Sequence, residues 1–157
     1  MARGACEMVI RDVMSSPPAT CRRSTPLAEA AELMSRHNCG CLLVVDDRGH
    51  LAGLVTDRDI ALVLAIRANT WGLGVRDAMT RQVESCDPDD DVERAVEQFR
   101  ELGVRRLPVV SGDGKVEGVL SIDDLVLHAG SPGLPVAAVF ETVRAVAVAE
   151  TGKVIHY

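Results

Sequence analysis

Arg11-Asp12-Val13-Met14-Ser15 returns later in the chain as Arg76-Asp77-Ala78-Met79-Thr80. The offset, 76 minus 11, is 65 residues, and it holds without a gap far beyond the two pentapeptides. Cys21 meets Cys86, Ala30 meets Ala95, and Glu32 meets Glu97. Val44-Val45 meets Val109-Val110, while Gly49, Gly53 and Asp59 meet Gly114, Gly118 and Asp124. One ungapped register from Arg11 to Asp59 means that the chain carries two copies of a unit, residues 9–67 and 74–130. With its N-terminal lead-in the first repeat takes 1–67, a linker 68–73, the second repeat 74–130 and a tail 131–157. Two copies are too few for an open solenoid, which needs roughly three or more. They are expected to pack sheet to sheet about a pseudo-twofold axis.

The same local pattern is read twice. A short strand, Ala19 to Cys21 or Glu84 to Cys86, precedes a helix. Thr25 is the expected cap of the first helix with Pro26 at its first position, and Asp90 the cap of the second with Glu93 reaching back. The apolar positions Val92, Ala95, Val96, Phe99 and Leu102 fall on one face of a 3.6-residue period, as do Leu27, Ala30, Ala31 and Met34. Two strands follow, Leu42 to Val45 and Leu51 to Thr56, then Leu107 to Val110 and Val116 to Ser121. Asp46-Asp47-Arg48-Gly49 and Ser111-Gly112-Asp113-Gly114 join them as hairpin turns. A last helix opens near Arg58 and near Asp123. The order is β-α-β-β-α, an α+β unit.

Composition narrows the function. Of 157 residues 47% are hydrophobic and 25% charged, which is globular rather than disordered. The net charge of −6 disfavours bulk nucleic-acid binding, and an aromatic content of 3% leaves little to stack on a single strand. The apolar runs Ile60 to Ile66 and Val136 to Phe140 are too short to cross a bilayer. Met1 to Glu7 has no signal-peptide core, so a cytoplasmic chain without a membrane partner is expected. Five cysteines, Cys6, Cys21, Cys39, Cys41 and Cys86, make an odd set in a chain that needs no staple. His37-Asn38-Cys39-Gly40-Cys41 lacks the second ligand pair of a zinc site. The run Asp87, Asp89, Asp90, Asp91 lacks the glycine and glutamate of a calcium loop, so no metal is expected.

Gly53-Leu54-Val55-Thr56-Asp57-Arg58-Asp59 and Gly118-Val119-Leu120-Ser121-Ile122-Asp123-Asp124 carry the chemistry. A Thr or Ser at a strand end, beside a helix N-terminus with its unpaired N–H groups, suits a phosphate. An ionised Asp three residues on is an acceptor only, able to take both hydroxyls of a ribose diol. The alternative is that these side chains only cap their helices. The doubled pattern, the G-h-x-[ST]-x-x-D fingerprint, with h apolar, and the [IV]-R-D-x-M-[ST] lead-ins at Ile10 and Val75 resemble the cystathionine-β-synthase (CBS) domain pair, the Bateman module. The resemblance covers about residues 9–130.

It implies Asp59 and Asp124 on ribose, Thr56 and Ser121 on phosphate, in a cleft between the repeats. Asp57, Arg58 and Asp123 lie inside the motifs, and Arg58 is placed to reach phosphate. Thr20 and Ser85, on the first strands, are candidates to meet the base. Arg106 matches a position where relatives that bind adenine nucleotides often carry a phosphate-contacting Arg; the first repeat has Cys41 there. The family also implies a homodimer, commonly a flat disc built from helix contacts.

No nucleophile-base grouping or nucleotide-hydrolysing loop is found, and the histidines at 37, 50, 128 and 156 form no catalytic set, so no enzyme is expected. Two readings stand. One is a regulatory module that needs no cofactor and binds an adenine nucleotide (AMP, ADP or ATP, with S-adenosylmethionine as a variant) to control an unknown protein. The other is a ligand-free interaction module with vestigial pockets. In the tail, Val136, Val139, Phe140, Val143 and Val146 predict an amphipathic helix from about 135 to 149 that packs on the pair or at a dimer contact.

Overall fold

Two glycines set the hairpins. Gly49 and Gly114 adopt φ of 84° and 85°, backbone that costs a glycine little, and the chain reverses there. The strands so joined are β2 (Cys41–Val45) with β3 (Leu51–Thr56) and β4 (Arg106–Val110) with β5 (Val116–Ser121). A computed structural model describes residues 8–134 and 136–153. In it β1 (Thr20–Cys21) runs parallel to β2, and β2 antiparallel to β3, in the order β1-β2-β3. The second repeat keeps a two-stranded sheet. Its expected first strand shrinks to one parallel bridge, Cys86 to Val109, the register equivalent of Cys21 to Val44.

The helices are α1 (Leu27–Arg36), α2 (Asp57–Ile66), α3 (Val92–Leu102), α4 (Ile122–Leu127) and α5 (Val136–Lys153). The mixed α/β order β-α-β-β-α is complete in the first repeat, recurs in the second as α-β-β-α with the Cys86 bridge in place of the opening strand, and is followed by a C-terminal helix. Both first helices start one residue later than predicted, after Pro26 and Asp91, and neither N-cap makes a side-chain bond. Thr25 and Asp90 are held by other duties. Their carbonyls accept the N–H groups of Val75 (2.8 Å) and Ile10 (3.0 Å). Their side chains accept the N–H groups of Arg22 (3.0 Å) and Asp87 (3.4 Å), so they close the preceding turn instead.

Packing groups the chain differently from the repeat register, in two compact units. One holds, of the described residues, 8–16, 85–109 and those from 118 to 153. The other holds Pro17–Glu84 with Val110–Glu117. In the first, Ile10 and Val13 share a core with Val92, Val96, Phe99, Leu107, Leu120 and Leu125. In the second, Val75 and Met79 share one with Leu27, Ala30, Met34, Leu42, Val44 and Val55. Each lead-in therefore completes the core of the copy it does not open in sequence. Backbone pairs fix them there: Ser15 with Val119 (2.9 and 3.0 Å) and Thr80 with Leu54 (2.8 and 2.9 Å).

The motif glycines make this possible. A Cβ on Gly53 would stand 2.4 Å from the Thr80 carbonyl oxygen, and one on Gly118 would stand 2.8 Å from that of Ser15. The G of each fingerprint is thus the mate of the M-[ST] of the other copy's lead-in.

Helix α5 packs on α3 and α4. Its buried face is Val139, Thr142 and Val146, which turns the predicted stripe: Phe140 is 58% exposed, and Thr142 lies inside with its hydroxyl donating to the Val96 carbonyl at 3.5 Å. Leu102, at the end of the predicted α3 stripe, is also exposed, because the buried face closes at Phe99.

Candidate functional site

In the unit that carries the first motif, β3 delivers Thr56 and α2 begins at once. Thr56 is the N-cap; its hydroxyl oxygen accepts the Asp59 N–H at 3.1 Å. Asp59 returns the contact: Oδ2 accepts the Thr56 N–H (2.9 Å) and hydroxyl (2.7 Å). This is a capping box with Asp in the Glu position, and it explains the three-residue spacing of the fingerprint. The capping alternative and the ligand reading are compatible, because a carboxylate has two oxygens. Asp59 Oδ1 accepts no bond among the described residues, and the side chain is half-buried.

The first turn of α2 offers a phosphate less than its sequence suggests. The Asp57 N–H goes to the Gly40 carbonyl (3.1 Å), the Arg58 N–H to the Asp57 carboxylate (2.8 Å) and the Asp59 N–H to Thr56. The single Thr56 hydroxyl proton is already given to Asp59. The expected phosphate donors at this helix end are therefore occupied. What remains cationic is the exposed Arg58 side chain. Thr20 is exposed on β1, and the register Thr20–Leu43–Leu54 puts it on the same sheet face as Thr56, which pairs with Cys41.

The second motif sits in the other unit with the same capping box. Asp124 Oδ2 accepts the Ser121 N–H (2.7 Å) and hydroxyl (2.6 Å), and the Ser121 oxygen accepts the Asp124 N–H (3.1 Å). Here the remaining oxygen is taken: Ser15 donates its hydroxyl to Asp124 Oδ1 at 2.9 Å. Sequence reasoning used Ser15 for register and missed it at the site; the [ST] closing each lead-in was the available signal. Asp123 faces Arg105 at 3.9 Å, Arg106 is half-buried at the start of β4, and Ser85 is exposed with its carbonyl accepting the Gln98 amide at 3.1 Å. The structure thus collects Thr20, Thr56, Asp57, Arg58 and Asp59 in one unit and Ser85, Arg106, Ser121, Asp123 and Asp124 in the other.

Cys21, Cys39, Cys41 and Cys86 are not joined in disulfides, and Cys6 lies outside the described residues. Burial pushes Cys21 up to about 11, with Glu29 adding to it, and Cys86 up to about 12, with Asp90 adding. Among the described residues no cluster of His, Cys, Asp and Glu has the makings of a metal site, and no helix is long and apolar enough to cross a membrane.

The sequence model of the CBS domain matches residues 10–66 and again 75–130. The chain belongs to the CBS domain family. The two CBS repeats are the two copies read from the 65-residue register. Among relatives, the CBS domain-containing protein YhcV of Bacillus subtilis is 33% identical over 119 residues, 76% of this chain and 84% of that one. The L-aspartate semialdehyde sulfurtransferase of Methanocaldococcus jannaschii is 30% identical over 117 residues, but this chain spans only 22% of that protein. Among solved structures, the CBS domain pair of protein MJ0100, in complex with 5-methylthioadenosine and S-adenosyl-L-methionine, superposes with a TM-score of 0.71 at 29% identity, over 78% of this chain and all of that one. CBSX2 from Arabidopsis thaliana, solved in complex with AMP, gives a TM-score of 0.68 at 30% identity over 77% of this chain and 95% of that one.

Proposed function

We propose that this CBS pair is a regulatory module that binds an adenosine-containing ligand, with Asp59 as its ribose anchor. The observation that carries the reading is the half-buried Asp59 carboxylate. One oxygen is fixed by the capping box, so the side chain is pre-oriented, and the other is unspent. A carboxylate oxygen held in this way accepts a sugar hydroxyl without first losing a protein partner. AMP, 5-methylthioadenosine and S-adenosylmethionine, the ligands of the similar structures, share adenosine and differ at the 5′ position. That common part is what a ribose anchor would read. Arg58, exposed one residue before the anchor, would favour a phosphate over a thioether at the 5′ end. The module works by binding rather than by chemistry and passes its state to a separate protein.

Calorimetry against AMP, ADP, ATP, S-adenosylmethionine and 5-methylthioadenosine, with melting curves alongside, tests this. A ligand at about 100 times its Kd adds about 2.7 kcal/mol of stability, a clear rise in melting temperature. The expected result is binding of the adenine nucleotides ahead of 5-methylthioadenosine. A panel with no binder would favour the ligand-free interaction module. One observation already leans that way for the second repeat alone: the Ser15 hydroxyl satisfies Asp124.

A further inference from the structure

The two CBS repeats differ in what covers their paired helices. On the second, α5 packs on α3 and α4 and buries Val139 and Val146 in the core that holds Val92, Val96 and Leu125. At the 65-residue offset these three correspond to Leu27, Ala31 and Ile60. Those residues line an open groove of about 550 Å³ between α1 and α2, bordered by Leu64 and by the linker from Thr70 to Gly74. A groove of this size suits a small organic molecule. Its linker wall is held by local bonds. The Asn69 side chain accepts the Trp71 N–H at 3.0 Å, and the Leu73 carbonyl accepts the Leu27 N–H at 3.2 Å.

A second difference lies in the same groove. Among the described residues Arg76 is the only charged one that lines it, and Ser24 lines it too. At the same offset these correspond to Arg11 and Asp89. The backbone is alike in both copies: the Arg11 N–H meets the Pro88 carbonyl and the Arg76 N–H the Arg23 carbonyl, each at 2.9 Å. The side chains are not alike. Arg11 gives Nε and Nη2 to Asp89 Oδ1 at 3.3 and 3.2 Å. Arg76, with a serine in that place, has only a long contact from Nε to Asp77 Oδ2 at 3.8 Å, an oxygen that already accepts the Gly74 N–H at 2.9 Å. The Nη nitrogens of Arg76 carry no hydrogen bond among the described residues.

The first repeat thus lacks an apolar cover and a carboxylate where the second has both. We propose that the groove binds an aliphatic carboxylic acid, a medium-chain fatty acid in its free, ionised form, with the chain on Leu27, Ala31, Ile60 and Leu64 and the carboxylate on Arg76. One such molecule supplies both missing parts. A guanidinium takes a carboxylate through parallel N–H groups, which fixes the head. The aliphatic floor favours an alkyl chain, whose transfer out of water drives the binding. Trp71, 93% exposed on the rim, gains cover when the chain is seated. Neither Arg58 nor Asp59 lines the groove, and the proposal does not rest on the nucleotide reading.

Calorimetry and the emission of Trp71, the chain's only tryptophan, read it directly. Decanoate, kept below the concentration at which it forms micelles, is expected to saturate at one molecule per chain and to shift Trp71 emission to the blue. Decanol, with the same chain and no charge, should bind at least about tenfold more weakly. Ser24→Asp rebuilds the pairing of Arg11 with Asp89 and should weaken decanoate at least about tenfold while leaving decanol unchanged. Arg76→Gln should do the same and serves should Ser24→Asp fail to fold. Ala31→Leu, at an exposed position of α1, places a longer side chain in the groove and should weaken both ligands. Absence of saturable decanoate binding overturns the proposal, including where a second copy fills the groove instead. So does decanol that binds as tightly as decanoate, or decanoate affinity that survives the charge substitutions or Ala31→Leu. Binding that leaves Trp71 emission unmoved puts the acid elsewhere and overturns it too.

Discussion

Ser15 donates its hydroxyl to Asp124 at 2.9 Å across 109 positions of sequence, whereas its repeat equivalent Thr80 makes no such bond to Asp59. Two motifs that complete the same fingerprint are thus unequal in what they can still bind. Asp59 has an oxygen to give, and Asp124 must first release Ser15.

The ligand measurement follows from that difference. Charge-assisted hydrogen bonds contribute roughly 1.5–3 kcal/mol each. Asp59→Ala should therefore weaken the adenine nucleotide at least about tenfold. Asp124→Ala should leave that affinity within about twofold, and Ser15→Ala should not lower it. Isothermal calorimetry on the three variants checks this. Equal losses for Asp59→Ala and Asp124→Ala would mean that the Ser15 bond yields readily and that both motifs are used.

The two motif glycines should tolerate no side chain. A Cβ at Gly118 meets the Ser15 carbonyl at 2.8 Å and the Met14 sulfur at 2.7 Å; at Gly53 it meets the Thr80 carbonyl at 2.4 Å. Backbone cannot swing aside as a side-chain tip does, so Gly118→Ala and Gly53→Ala should each cost about 1–3 kcal/mol. Gly112, with nothing within 4 Å of its would-be Cβ, should accept alanine at nearly no cost. Urea denaturation separates the three.

On α5 the order of effects should reverse what side-chain size suggests. Val139 is fully buried and Phe140 is mostly in water. Val139→Ala should destabilise by about 1–3 kcal/mol, and Phe140→Ala by less than about 0.5 kcal/mol. A larger loss at Phe140 in thermal melts would restore the predicted stripe.

The buried thiols make stability fall in alkali. Cys21 and Cys86 are raised from 9.0 to about 11 and about 12, mainly because burial disfavours the thiolate. Their contribution is fully present below the unfolded value near 9 and is lost as pH climbs through the folded values. Melting temperature should hold between pH 7 and about 8.5 and drop from about 9 to 11. The Cys21→Ala, Cys86→Ala double variant should drop less. At neutral pH Cys39, half-buried, should alkylate faster than either.

The sites most open to sequence reading were those whose partners lie within a few residues. Strands β3 and β5 fall where alternation and turn glycines put them, because a hairpin is closed by its own loop. The fingerprint spacing likewise held the capping alternative, and in the structure each Asp does reach back to its own helix start. Thr25 and Asp90 defeated the same logic. Each is a good cap by type, yet its carbonyl is claimed by a lead-in 50 or 80 positions away, at Val75 and Ile10, and the helix starts one residue later.

The sequence by itself determined that there are two copies, that each carries a helix, a hairpin and a second helix in that order, and where the two helix-capping stretches lie. Propensity, turn chemistry and helix caps are local energies, and a repeat records them twice. Tertiary structure alone decided that each lead-in completes the core of the other copy, that Ser15 spends the second aspartate, and that α5 seats Thr142 inside and leaves Phe140 out. These depend on which distant surfaces meet. The 3.6-residue period allows several adjacent helix faces to be buried, and only the groove between α3 and α4 chooses one.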